Sequence, residues 1–222
     1  LRPTHGRVSL HGALDLAPSF DTCGWFTRDA QTFARVADVL LGAGPVPAPT
    51  RLLWPTDLWA LLAPAAEPTA RAAADGVQNV LGRAEPMTVV LESLDAMYWH
   101  FRHLQGREAW TTDGPLIERY APPLGPGVAE RFAFSRGVTD AQVAEATAFR
   151  RRFTAHLEAL LGSDGVLLLP TMPDIAPLRS DTDAALEDYR NRAIRLLCAA
   201  GLAGLPQLSL PLAGRDGAPM GL

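Results

Sequence analysis

The chain has 222 residues, 48% of them apolar, so it can bury a globular core, and the composition excludes a disordered protein. Acids and arginines are scattered along the chain, and the formal net charge is −4, which argues against a nucleic-acid footprint or an anionic-membrane patch. All 20 basic residues are arginine, which excludes a lysine general base within these residues.

Periodicity in the first half predicts alternating helices and strands. Apolar spacing predicts helices over 30–41, 68–81 and 94–105, and strands over 51–54 and 87–91. Asp29 and Ser93 are suitable N-caps, and Gly42, Gly82 and Gly106 are the expected helix ends. Three prolines within 44–50 predict a stiff connector.

The second half continues the same alternation. Glycine and proline are frequent in 115–137, which predicts an irregular surface loop. Thr139 and Gln142 stand three apart, as in a capping box, and predict the start of a helix of about six turns. The remaining predicted elements are a buried strand over 165–170, a helix over 184–200 and a strand over 207–210. Helices alternating with buried strands indicate an α/β fold.

The two cysteines and the length of the apolar runs indicate in which cellular compartment the protein is found. Cys23 and Cys198 lie far apart and form no C-x-x-C motif, so neither a disulfide framework nor a thiolate metal site is indicated. The longest strongly apolar run, 196–206, is far shorter than the roughly 20 residues that cross a bilayer. We therefore expect a cytoplasmic protein that binds neither membrane nor nucleic acid.

Motifs for catalysis and cofactors are sparse. None of the seven serines lies in a G-x-S-x-G elbow, and neither a dinucleotide fingerprint nor a phosphate loop occurs. His100 and His103 could present two imidazoles to a metal from one helix, but no third ligand is near in sequence, which favours a packed or solvated role. The run 150–152 of three arginines is typical of a polar helix face. We expect no cofactor, no metal and no catalytic residue within these residues.

Four stretches, in the correct order, resemble the amidase signature family, including bacterial amidases and indoleacetamide hydrolases. The stretches are 1–9 (LRPTHGRVS), 16–29 (LAPSFDTCGWFTRD), 104–110 with 124–127, and 169–177 followed by 201–207. The resemblance implies that 1–222 form the back part of a single amidase-signature domain, truncated at both ends. The implied fold is a mixed sheet flanked by helices, incomplete in this chain.

The resemblance also implies a function. It implies an amide hydrolase of the Ser–cis-Ser–Lys type, whose catalytic residues lie upstream of Leu1 in a complete member. The substrate would be a small-molecule amide, and the partner would be the missing N-terminal portion of the same fold. Alone, the 222 residues should be inactive, because they contain neither the lysine nor a nucleophile loop. The alternatives are a non-catalytic binding or docking module, as in some organelle import receptors, and a glutamine amidotransferase subunit.

Two residues are candidates for the site. We expect Asp21 to support the active site, because an Asp between Phe20 and Thr22 can accept hydrogen bonds from nearby backbone N–H groups. Arg192 is predicted to contact the substrate, since glutamine-using relatives carry an acid in this region that holds the substrate's amino group. An arginine there would favour an acidic or aromatic acyl group. In the alternative interpretation, Arg192 pairs with Asp188 on the same helix and is solvated.

Overall fold

Apolar residues at helical spacing dominate the chain. The computed structural model describes residues 1–42, 44, 48–125 and 127–222. Among these residues it contains seven α-helices and five short strands. The elements in chain order are α1 (Ala30–Leu41), β1 (Arg51–Pro55), α2 (Thr56–Trp59), α3 (Glu67–Leu81), β2 (Glu85–Met87), α4 (Leu94–Tyr120), α5 (Val128–Arg136), α6 (Asp140–Leu161), β3 (Gly165–Leu167), α7 (Asp183–Ala203), β4 (Ala213–Arg215) and β5 (Ala218–Met220).

The chain divides into two compact units, each made of three chain segments. Unit 1 comprises Leu1–Gly44, Tyr98–Thr154 and Ala200–Gln207. Unit 2 comprises Pro45–Met97, Ala155–Ala199 and Leu208–Leu222. The three longest helices, α4, α6 and α7, contribute residues to both units.

Unit 1 is helical, and its core forms around aromatic rings of α4 and α6. Phe149 and Phe153 are almost completely buried, with ring centroids 5.8 Å apart. The buried imidazole of His100 stacks on Phe149 at 4.4 Å. The capping box predicted at the start of α6 is present, because the Gln142 N–H donates to Thr139 Oγ1 and the Thr139 N–H donates to Gln142 Oε1.

Unit 2 contains a three-stranded parallel sheet in the order β2-β1-β3 and a separate antiparallel pair, β4-β5. Leu53 pairs with Glu85 on one side of β1 and with Leu167 on the other. The alanine-rich face of α3 packs into the core of this unit, where the Trp59 indole N–H donates to the carbonyl of Leu168 at 2.8 Å. A sheet with packed helices confirms the α/β class.

Several predicted elements differ from the structure, beginning with the helices after Gly106. The segment predicted to be a loop, 115–137, is helical in large part, because α4 continues past Gly106 and Pro115 to Tyr120 and α5 follows at 128–136. A Cβ at Gly106 would lie 3.1 Å from Ser135 Oγ, so this glycine allows close helix packing instead of ending a helix.

Of the predicted strands, 51–54 is present as β1, whereas the others are shorter, displaced or absent. The buried strand predicted at 165–170 is reduced to 165–167 and is partly exposed. The strand predicted at 207–210 is absent: Gln207 forms an antiparallel bridge with Arg2, and Leu210 exchanges two backbone hydrogen bonds with Leu222. The strand predicted at 87–91 occurs at 85–87. Of the predicted connector, 45–47 lie outside the described residues, and 48–50 have no regular structure.

Candidate functional site

Unit 2 contains an open cleft of about 580 Å³ beside the first half of α7. Its lining combines a polar helix face with two leucines: Leu61, Ser93, Leu94, Asp95, Asp188, Asn191, Arg192 and Arg195. Clefts of this volume are large enough for a small organic molecule. Arg192, predicted from the sequence as a substrate contact, is therefore part of a cleft wall.

Arg192 also forms the ion pair that the alternative interpretation requires. Its Nε donates to Asp188 Oδ2 at 2.9 Å, and its Nη2 lies 2.8 Å from the same oxygen. Its Nη1 donates to the carbonyl of Leu61 at 3.4 Å. The side chain of Arg192 is 29% exposed, whereas that of Asp188 is 65% exposed. The arginine is thus paired but not solvated like a surface residue, and a substrate contact stays a prediction.

Arg195 is a second arginine of the cleft, which the sequence interpretation missed. Its Nε and Nη2 donate to Asp95 Oδ1 at 3.1 and 2.6 Å, and its Nη1 donates to the carbonyl of Asn191 at 3.0 Å. The Arg195 side chain is 20% exposed and that of Asp95 is 72% exposed. The spacing of Asp188, Arg192 and Arg195, at i, i+4 and i+7, was the available signal, because such residues share one helix face.

Asp21 lies in unit 1 and closes a turn. Its Oδ2 accepts hydrogen bonds from the backbone N–H groups of Leu16 and Ala17, both at 2.9 Å. This is the type of structural hydrogen bonding that was expected of an Asp at this position. Its support of a nucleophile loop stays a prediction.

A network in unit 1 fixes the residues just before Asp21. Glu108 accepts hydrogen bonds from the Ser19 N–H and Oγ at 2.8 and 2.5 Å. Arg150 donates to Ser19 Oγ and to the carbonyls of Ser19 and Leu202, at 2.6 to 2.9 Å. Burial lowers the pKa of the Arg150 guanidinium, and the charge of Glu108 opposes that shift. Arg150 is therefore not part of a purely polar helix face, as the run of three arginines had suggested.

The two histidines considered as metal ligands pack against aromatic rings. His100 stacks on Phe149, while the ring of His103 lies about 6 Å from both Trp99 and Phe134. Burial lowers the pKa of His103, and the neighbouring His100 acts in the same direction. Within the described ranges, no three His, Cys, Asp or Glu side chains are grouped so that they could hold a metal ion.

Comparison with known proteins finds relatives in both sequence and fold. No family model matches the chain. Amidase 1 of Oryza sativa subsp. japonica is 32% identical over 253 residues, which cover 99% of this chain and 57% of that protein. A glutamyl-tRNA(Gln) amidotransferase subunit of Thermus thermophilus is 31% identical, covering 100% of this chain and 55% of that protein.

A solved structure described as the crystal structure of amidase superimposes with a TM-score of 0.80 at 27% identity, and the match covers 99% of this chain and 52% of that one. In sequence and in fold, the chain is similar to the amidase signature family. It spans slightly more than half the length of these relatives. Among the described residues, every helix is too short or too polar to cross a membrane.

Proposed function

We propose that the intact protein is an amide hydrolase that cleaves the C–N bond of a small carboxamide, and that residues 1–222 are the back part of its single domain. Similarity to the amidase signature family carries this proposal. Relatives with differing names, an amidase and an amidotransferase subunit, match nearly the whole chain in sequence. The cytoplasm is the proposed compartment, since the two cysteines form no disulfide.

The residues of this chain are proposed to bind the substrate and support the active site. The catalytic step is assigned to the portion of the relatives that the chain does not span. Activation of a serine hydroxyl requires a base, and the sequence contains no lysine. Among the described residues, Ser93 is the one serine that lines the cleft. Its Oγ accepts a hydrogen bond from the Ala96 N–H and so caps α4. The catalytic serines and lysine are therefore proposed to be contributed by a preceding segment.

Arg192 is proposed as the residue of this chain that contacts the acyl part of the substrate. It lines the cleft, and its partner Asp188 is mostly exposed, so the ion pair between them contributes little free energy and a substrate can replace it. A guanidinium favours a carboxylate by charge or an aromatic ring by stacking. We propose an acidic or aromatic acyl group, with no cofactor.

The test measures hydrolysis of several small amides by the full-length protein, by the 222-residue chain and by two arginine variants. We expect turnover by the full-length protein and none by the chain. Arg192→Ala should lower kcat/KM about tenfold, which corresponds to about 1.4 kcal/mol of transition-state binding. Arg190→Ala is the matched control, because Arg190 pairs with Glu187 instead. Full-length protein that cleaves no amide would favour the docking-module alternative, and an unaltered kcat/KM in Arg192→Ala would remove Arg192 from the site.

A further inference from the structure

One face of α7 presents two guanidinium groups to the same cleft. Arg192 and Arg195 are three residues apart and both line it, together with Asn191. Three-residue spacing places side chains next to each other on a helix surface, about 5–6 Å apart at Cβ. Two adjacent guanidinium groups within one concave surface place two positive charges and several N–H donors beside a single ligand.

The charges of the cleft are unevenly buried. The side chains of Arg192 and Arg195 are 29% and 20% exposed, whereas those of their partners, Asp188 and Asp95, are 65% and 72% exposed. The positive groups therefore lie deeper than the negative ones. Ion pairs with a largely exposed carboxylate are worth about 0–1 kcal/mol, so an incoming anion can displace them at small cost.

Arg192 and Arg195 each bring two nitrogens close to a single oxygen of an aspartate. Nε of Arg192 donates to Oδ2 of Asp188, and Nη2 lies 2.8 Å from the same oxygen. Nε and Nη2 of Arg195 both donate to Oδ1 of Asp95. Each aspartate thus supplies one oxygen where a fork-to-fork contact uses two, in two parallel hydrogen bonds. A ligand carboxylate that approaches without the constraint of the aspartate backbone can form the better contact.

We propose that this cleft is a binding site for a small organic carboxylate, with Arg192 and Arg195 as its joint anion subsite. Leu61 and Leu94, which also line the cleft, pack against the carbon body of the ligand. If the protein is the proposed amide hydrolase, the preferred substrate is an amide whose acyl part carries a second carboxylate. That last step rests on the proposed function, whereas binding of the carboxylate does not.

The first experiment titrates glutarate and glutaramide into the 222-residue chain and follows the heat of binding. The two compounds have the same carbon skeleton, but glutaramide carries no charge. We expect glutarate to bind at least ten times more tightly than glutaramide. Arg192→Gln and Arg195→Gln should each weaken glutarate binding about tenfold, and Arg190→Gln, in an exposed pair on the same helix, should leave it unchanged. Equal affinity for glutarate and glutaramide, or no glutarate binding, would overturn the proposal.

A second variant separates a binding role from a structural one. Asp188→Asn removes the carboxylate that competes for Arg192 and keeps the size of the side chain. It should strengthen glutarate binding at least threefold, whereas loss of a purely structural ion pair would leave binding unchanged or weaken it. This measurement decides the question even where the arginine variants lower the thermal midpoint.

The two proposals fail in different ways. Full-length protein that hydrolyses no amide, together with a chain that binds glutarate, would refute the amidase function and leave the anion subsite intact. Hydrolysis of neutral amides by the full-length protein, together with a chain that ignores glutarate, would refute the subsite alone.

Discussion

Arg150→Met should destabilise the chain far more than the same substitution at Arg151. Arg150 donates three hydrogen bonds, to Leu202 O at 2.7 Å, Ser19 Oγ at 2.6 Å and Ser19 O at 2.9 Å, and its guanidinium lies 4.4 Å from the ring of Phe20. Methionine keeps the apolar stem but removes every donor. Arg151 is exposed on the same turn of α6 and serves as the matched control.

The expected magnitude follows from those three bonds. Hydrogen bonds to a charged group contribute about 1.5–3 kcal/mol each when buried. Because the Arg150 side chain is only half-buried, solvent screening reduces this to about 1 kcal/mol each. The sum is about 3 kcal/mol in the free energy of unfolding, or a fall of about 6–12 °C in Tm for a chain of this length.

Urea titration and thermal scans of wild type and both variants supply the comparison. Arg151→Met should stay within about 0.5 kcal/mol of wild type. A loss below about 1 kcal/mol for Arg150→Met, or equal losses for the two variants, would show that the network around Ser19 does not stabilise unit 1.

Two further predictions concern titratable side chains. Burial raises the pKa of the Cys198 thiol to about 12, whereas Cys23 is exposed. At pH 8 the native chain should therefore gain one iodoacetamide adduct, measured by intact mass. The Cys23→Ser variant should gain none until urea unfolds it. Two adducts on the native chain would contradict this burial. Burial also lowers the pKa of His103 in the folded chain. The contribution of the neutral imidazole to stability is therefore complete above the pKa of the unfolded chain, about 6.5, and is lost as the pH falls through the folded pKa. The urea midpoint should therefore decline on acidification, less steeply in His103→Gln, and identical pH profiles would exclude His103 as the cause.

Helix ends show what local chemistry can predict. Gly42 and Gly82, expected to end helices, have φ of 83° and 92°, values that residues with a side chain rarely adopt. Gly106 and Gly114 carry the same letter but lie inside α4, close to Ser135 and to the Trp110 ring. Gly106 packs against Ser135 of α5, and this contact, distant in sequence, overrides the low helix propensity of glycine.

The cleft was predictable to a similar degree. Arg192 and its pairing with Asp188 follow from one helix repeat. The partner of Arg195 is Asp95, about a hundred positions earlier in the chain, and no local pattern links the two. Likewise Arg150 donates to Ser19 while its neighbour Arg151 is exposed, and the run of three arginines at 150–152 does not predict this difference.

The sheet order of unit 2 has a consequence for biosynthesis. β1 lies between β2 and β3, and its partner in β3, such as Gly165 opposite Arg51, is synthesised more than a hundred residues later. A ribosome adding about 5–20 residues per second therefore leaves one edge of β1 unpaired for roughly 5–20 s. During that interval the edge is available to any other extended segment. A chaperone that covers residues 51–55 should raise the yield of folded chain more than one that acts after release.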